Sequence, residues 1–183
     1  MNTKQILFNA LSAQLQERKN QYDQYEKEVY EKEFSDLSNE IESYMDTLFP
    51  GLIKSFSFQG SSINMNTRDN GWRNIEFSIK NDWRSDASER YVDMTWGGDN
   101  IDKNSNDDDI NYLKLLSSVA IHYQTIFNSY LNEWYPKYME IHNREREKYN
   151  EYNELQTALN NLSNEISNDA KEKMKQKIGR AHV

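Results

Sequence analysis

Between Thr3 and Leu48 the chain contains neither Gly nor Pro, and the whole sequence of 183 residues holds only six Gly and two Pro. These two residue types are the main local punctuators of backbone structure, so a chain this short of them builds long elements rather than many tight turns. Within the first run, apolar or aromatic residues recur at Leu7, Leu11, Tyr22, Tyr25, Val29, Phe34, Leu37, Ile41, Tyr44 and Leu48. Spacings of three and four dominate, which predicts one amphipathic helix over residues 3–49. From Phe34 to Leu48 the steps alternate three and four as in a coiled-coil seam, whereas Gln14 and Arg18 interrupt it nearer the start. At ~1.5 Å per residue such a helix runs roughly 70 Å. Pro50-Gly51 then ends it.

The pattern changes over residues 52–97, where apolar and polar residues alternate between turn signals. Phe56 and Phe58, Ile63 and Met65, then Ile75, Phe77 and Ile79, then Val92, Met94 and Trp96 each follow a period of two. Asn70-Gly71 is a strong hairpin signal. These features predict three or four antiparallel strands in a meander, with one face covered by helix.

Residues 98–109 form a polar, acidic loop whose last aspartates, Asp107 to Asp109, suit the start of a helix. A helix over residues 110–135 follows, with Ile110, Leu113, Leu116, Ala120, Tyr123, Phe127, Tyr130 and Trp134 as its apolar face. This is the most continuous apolar stretch, so the core is expected against it. Pro136 lacks a donor and crowds the preceding turn, which predicts a kink or break near Trp134-Tyr135. Beyond it, Ile141, Tyr149, Tyr152, Leu155, Leu159, Leu162 and Ile166 continue a helix over residues 137–175.

The expected fold is α+β and mainly α: a long helical hairpin, an antiparallel coiled-coil-like stalk, with a three- to four-stranded antiparallel β-meander inserted between the helices. Residues 1–177 read as a single domain. Residues 178–183, Ile-Gly-Arg-Ala-His-Val, match the translation of a widely used sequencing-library adapter and are read as an artefact, which fits a metagenomic origin and leaves the natural chain free to continue.

The charge is unevenly placed. Residues 1–49 hold five Lys or Arg against ten Asp or Glu, and residues 99–109 hold one against five, while the other two stretches balance. Phosphate-backbone binding needs a basic face, so direct nucleic-acid binding is not expected. With no Cys there is no disulfide, thiolate metal site or thiol nucleophile, and a reducing cytoplasm is the expected location. No apolar run reaches the ~18 residues of a membrane span.

Motifs for chemistry are weak. Asp102-Lys103-Asn104-Ser105-Asn106-Asp107 starts like a calcium loop, but Asp107 stands where Gly is required and Leu113 where a bidentate Glu is required. His122 and His142 lie about twenty residues apart without ligand-spaced partners, so His122 reads as a packed residue and His142 as a surface one. Glu76 and Lys80 are four apart on one strand face, which is the solvent face of an amphipathic strand rather than a nuclease pair. The expectation is a protein that is not an enzyme and holds no metal and no cofactor.

The strongest functional signal is compositional, because Trp, Tyr and Arg dominate binding hot spots. The insert carries Arg68, Trp72, Arg73, Trp83, Arg84 and Arg90, and these six are the candidate partner-binding residues. The bland alternative packs Trp72 and Trp96 under the meander and leaves the arginines as surface charges. The expected activity is that of an acidic protein-binding or inhibitory protein, with a basic nucleic-acid-processing enzyme as partner, recruited by charge complementarity. Small acidic inhibitors carried by phages, anti-CRISPR proteins among them, use that strategy. The second reading is a self-associating coiled-coil component of a phage particle or bacterial scaffold, and a homodimer fits either.

Overall fold

The computed structural model describes residues 3–67, 74–81, 90–97 and 107–181. The chain is mainly helical with a small antiparallel sheet between two long helical stretches, as the periodicities predict. The first stretch comprises α1 (Thr3–Tyr25), a π turn (Glu26–Tyr30) and α2 (Glu31–Leu48). Four strands follow, β1 (Ser55–Phe58), β2 (Ser62–Asn66), β3 (Asn74–Asn81) and β4 (Arg90–Trp96), in the spatial order β1-β2-β3-β4 and antiparallel throughout. The second stretch comprises α3 (Asp107–Ser129), a π turn (Tyr130–Trp134) and α4 (Tyr135–Ala181).

The expected break at Trp134-Tyr135 takes another form. Helical backbone continues through Pro136, and the disturbance is absorbed in the turn before it, where the Tyr135 N–H donates to the Tyr130 carbonyl five residues back. A proline ring collides with the carbonyl four residues earlier, here that of Asn132, and the wider turn relieves that crowding without ending the helix.

The chain divides into two compact units. The central unit, Lys32–Ile141, contains the sheet, α2, α3 and the start of α4. The terminal unit joins Met1–Glu31 to His142–Val183.

In the central unit the core follows from the sheet's register. Residues directly opposite in an antiparallel ladder share a face, so the pairs Phe56↔Met65, Ile63↔Phe77, Ile75↔Trp96, Phe77↔Met94 and Ile79↔Val92 put all the alternating apolar residues on one side. Ile63, Met65, Ile75 and Phe77 are completely buried there. The helices supply Leu37, Ile41, Met45 and Phe49 from the first stretch and Tyr112, Leu115, Val119, Ile126, Tyr130 and Trp134 from the second. Ring contacts fix the layers: Phe34 stacks on Phe58 at 5.5 Å, Phe127 meets Phe77 edge-on at 5.8 Å, and Tyr44 meets Trp134 at 5.4 Å.

Two sequence expectations are corrected here. The buried positions of the first stretch run every fourth residue, Leu37, Ile41, Met45, Phe49, rather than in the three-four alternation through Tyr44 and Leu48. Helices seated on other elements by such a ridge need no coiled-coil seam. On α3 the buried stripe is Tyr112, Leu115, Val119 and Ile126, while Ile110, Leu113 and Tyr123 are exposed. The expected face was rotated by about one residue, because α3 is apolar on more than one side and periodicity alone does not choose between them.

Gly60 shows how tightly the hairpin end is held. It sits between β1 and β2 with φ of 76°, in the left-handed region that side chains disfavour. The Tyr138 ring occupies the place a Cβ would take, and the buried Tyr130 hydroxyl donates to the Gly60 carbonyl at 3.1 Å.

The terminal unit packs by other means. Its contacts pair Lys4 with Asp169 at 2.9 Å, Arg18 with Glu151 at 3.2 Å, and Tyr22 with Glu145 at 2.6 Å, so numbers fall on one strand of helix as they rise on the other and the two run antiparallel. Tyr22 also meets Tyr149 edge-on at 5.6 Å and stacks with Tyr152 at 6.4 Å. Leu162 is its buried apolar residue among those described.

Candidate functional site

Of the six candidate partner-binding residues, Arg68, Trp72, Arg73, Trp83 and Arg84 lie outside the described residues. Arg90 opens β4, opposite Asn81, and its register places it on the helix-covered side of the sheet. There its guanidinium lies over the Tyr135 ring, 5.0 Å from the centroid. This cation-π contact ties the start of β4 to the first turn of α4, while Arg90 itself remains exposed. The calcium-like segment from Asp102 to Asn106 also lies outside the described residues.

Trp96, at the other end of β4, departs from the bland reading. It shares a face with Ile75 and Phe77, yet it is 61% exposed, and Tyr91 on the opposite face is 48% exposed. Just beyond Trp96, the buried Tyr112 hydroxyl donates to the Gly97 carbonyl at 2.8 Å, which anchors the strand end to α3. Exposed Leu113 follows Tyr112 directly. The sheet's other face is polar and carries Ser57, Asn64, Glu76, Ser78, Asp93 and Thr95, of which Ser78 is buried and Asn64, Glu76 and Asp93 are half-buried. Asn64, Glu76 and Thr95 are cross-strand neighbours, and Lys80 pairs with Tyr91, so Glu76 and Lys80 belong to that face as ordinary ladder residues.

The acidic expectation for the first helix acquires a definite surface. α2 turns Leu37, Ile41 and Met45 inward and exposes Asp36, Glu40, Glu42 and Asp46. Asp36 is paired with Lys32 at 2.8 Å, and Glu40 with Lys137 at 2.7 Å. Lys137 also reaches Glu133 at 3.2 Å, and these carboxylates hold its ammonium above the usual lysine range. Among the described residues no cation pairs with Glu42 or Asp46, which leaves the end of α2 acidic.

The histidines are structural in setting. His122 is half-buried with its ring 6.0 Å from that of Phe49. His142 is half-buried beside Glu145, with Nδ1 at 3.9 Å from a carboxylate oxygen that belongs to the group bonding Tyr22. Burial, then the bond to Glu145, pushes the Tyr22 phenol well above its ordinary range, and burial does the same to Tyr130. Among the described residues no three His, Asp or Glu gather in a way that could hold a metal ion.

Concave surface in the terminal unit consists of open grooves between its helices. One is lined by Arg18, Tyr22, Tyr25, Lys148 and Glu151. Arg18 is already engaged by Glu151 and Gln21, so the groove presents amphipathic walls rather than a poised reactive group. The α2 carboxylates were legible as a charge imbalance, but which of them reach solvent required the burial pattern. The exposure of Trp96 had no sequence signal, since its alternation with Val92 and Met94 reads as core.

No family model matches this chain, and neither a curated protein nor a solved structure matches it. The fold is that of a mainly helical α+β protein.

Proposed function

We propose that this chain is a non-enzymatic, acidic protein-binding protein that inhibits or captures a basic partner. The observation that supports the reading is the α2 carboxylate flank, in which Glu42 and Asp46 are exposed on a helix whose other side is locked into the core by Ile41 and Met45. A charged flank held by packing loses little side-chain or backbone freedom on docking, and it steers a basic partner by long-range attraction. The partner class is a nucleic-acid-processing enzyme with a basic cleft, engaged in the cytoplasm as phage-carried acidic inhibitors engage theirs. Candidate residues Arg68, Trp72, Arg73, Trp83, Arg84 and Arg90 on the insert form the rest of the contact in this reading.

The test is retention of proteins from a bacterial lysate by the chain at low and at moderate salt. A nuclease or other nucleic-acid enzyme held at low salt, released at moderate salt and lost on Glu42→Lys with Asp46→Lys is the expected result. Loss on Arg73→Ala with Arg84→Ala extends the contact to the insert. The second reading, a self-associating structural component, draws support from Ile6 and Leu7, each about half exposed at the start of α1. Recovery of only the chain itself in large assemblies would favour it and overturn the inhibitor reading.

A further inference from the structure

We infer that β4 is a self-pairing edge, and that two copies of this chain join through it into one continuous eight-stranded antiparallel sheet. The inference concerns a different surface from the α2 flank and stands whether or not a basic partner is found.

β4 is the last strand of the sheet, and among the described residues no element pairs with its outer side. The Gly97 N–H donates to the Asn74 carbonyl, which sets the ladder phase: residues 91, 93, 95 and 97 face β3, while Arg90, Val92, Met94 and Trp96 turn their N–H and C=O groups outward. An edge of this kind is ordinarily guarded by charged side chains, Lys above all, by Pro, a bulge or brevity, or by a covering helix or loop, and among the described residues β4 has only Arg90 and Asp93 of these. β4 is seven residues long, has no Pro, Gly or Lys, and keeps an unbroken register with β3 over all seven pairs. It also leaves Trp96 exposed on the side that the helices elsewhere cover.

The strand's own sequence indicates what can pair with it. The outward groups all fall on even-numbered residues, so an antiparallel second β4 meets them with the side chains of both copies on matching faces. Three central registers satisfy this. A two-fold axis at Asp93 would set two aspartates directly opposite in the closer, non-hydrogen-bonded type of pair, which is repulsive. An axis at Val92 would set Arg90 against Met94 and leave Trp96 beyond the ladder. An axis at Met94 sets Trp96 against Val92 and Asp93 against Thr95, covers the exposed indole twice and places no like charges opposite each other.

The Met94 register is therefore the one the chemistry selects. β4 carries one Arg and one Asp, so two acidic molecules meet here at a neutral seam. The axis stands perpendicular to the sheet, so the helices of both copies cover the same side of the joined sheet. The contact is isologous and closes at two copies.

The register makes a chemical test possible because the chain has no cysteine. Asp93 and Thr95 become a close cross-strand pair between copies, at the ~4.5 Å Cα separation of non-hydrogen-bonded pairs, within disulfide reach. Sedimentation of the full chain over a concentration series should show a monomer–dimer equilibrium with no larger species. Mixing Asp93→Cys with Thr95→Cys chains should give a disulfide-linked heterodimer under mild oxidation, while neither variant alone cross-links efficiently. Thr95→Asp should weaken the dimer about tenfold by facing Asp93 across both symmetric contacts, and Thr95→Lys should preserve it. Circular dichroism of Thr95→Asp checks that the monomer remains folded, and Thr95→Lys controls for loss of the threonine itself. A monomer at all concentrations would overturn the inference, as would a dimer that persists in Thr95→Asp and forms no mixed cross-link.

Discussion

The central and terminal units solve the same problem, holding long helices in place, with opposite resources. In the central unit seventeen of the eighteen buried apolar residues found among the described positions pack against one another, from Leu37 to Ile141. The terminal unit has Leu162 buried, a half-buried row that includes Leu11, Leu15, Leu155, Leu159 and Ile166, and polar contacts in which Lys4, Arg18 and Tyr22 reach Asp169, Glu151 and Glu145. Apolar burial contributes ~25 cal/mol for each Å² removed from water. Exposed ion pairs contribute little, because solvent screens them and two long side chains must be ordered to form them. Equal lengths of helix in the two units are thus unequal in stability, and the difference is set by side chains rather than by helix propensity.

The comparison can be broken most severely in the central unit. Phe77→Ala removes a fully buried ring from the middle of β3 and should cost about 3–5 kcal/mol, read as a lower denaturation midpoint by near-ultraviolet circular dichroism. Gly60→Ala should cost about 2–3 kcal/mol, since its Cβ meets the Tyr138 ring and its φ is positive. If Gly60→Ala is neutral, the hairpin end is looser than the Tyr130 and Tyr138 contacts imply. In the terminal unit, Leu162→Ala should cost about 2 kcal/mol, at the low end for a buried leucine because its surroundings are half-exposed and can settle.

The smallest effect sharpens the comparison on the polar side. Tyr22→Phe removes the bond to Glu145 and should cost about 1 kcal/mol near neutral pH, measured by urea denaturation. Its pH dependence has a definite sign. The folded pKa values of Tyr22 and Tyr130 are raised, so their stabilising contribution is complete below the unfolded phenol pKa of about 10 and is lost as pH rises from there through the folded values. Tyr22→Phe should therefore flatten part of the alkaline fall in stability. An alkaline limb identical to that of the parent would show that Tyr22 ionises equally in both states.

Much of this architecture is legible in the sequence because it rests on one-dimensional signals. Scarce Gly and Pro predict the long helices, and period-two alternation at Phe56, Ile63, Ile75 and Val92 predicts the strands. What escapes is set by three-dimensional choices. On α3, Leu113 and Leu115 are both leucines, and only the placement of the sheet decides that the first is exposed and the second buried. The same limit applies to the candidate site. Arg90 stands out by its residue type, but its seat over Tyr135 depends on the start of α4 lying beside the start of β4, which no local pattern encodes. The acidity of α2 was visible as a count, and the exposure of Glu42 and Asp46 followed from which side Ile41 and Met45 took.

The π turn at Tyr130–Trp134 also keeps the first turns of α4 in phase with α3. One residue in an α-helix corresponds to about 100° of rotation about the axis. The wide turn absorbs one such increment, so that Tyr130, bonded to Gly60, and the group Tyr135, Tyr138 and Ile141 keep to the side of Arg90, Gly60 and the core. Deleting a single residue there, such as exposed Asn132, would give a regular helix with Tyr138 still over the glycine it covers, but with the Pro136 ring crowding the carbonyl four residues before it. The turn thus stores a residue without changing the helix's register, and related chains should gain or lose a residue here before they do so elsewhere in α3 or the start of α4.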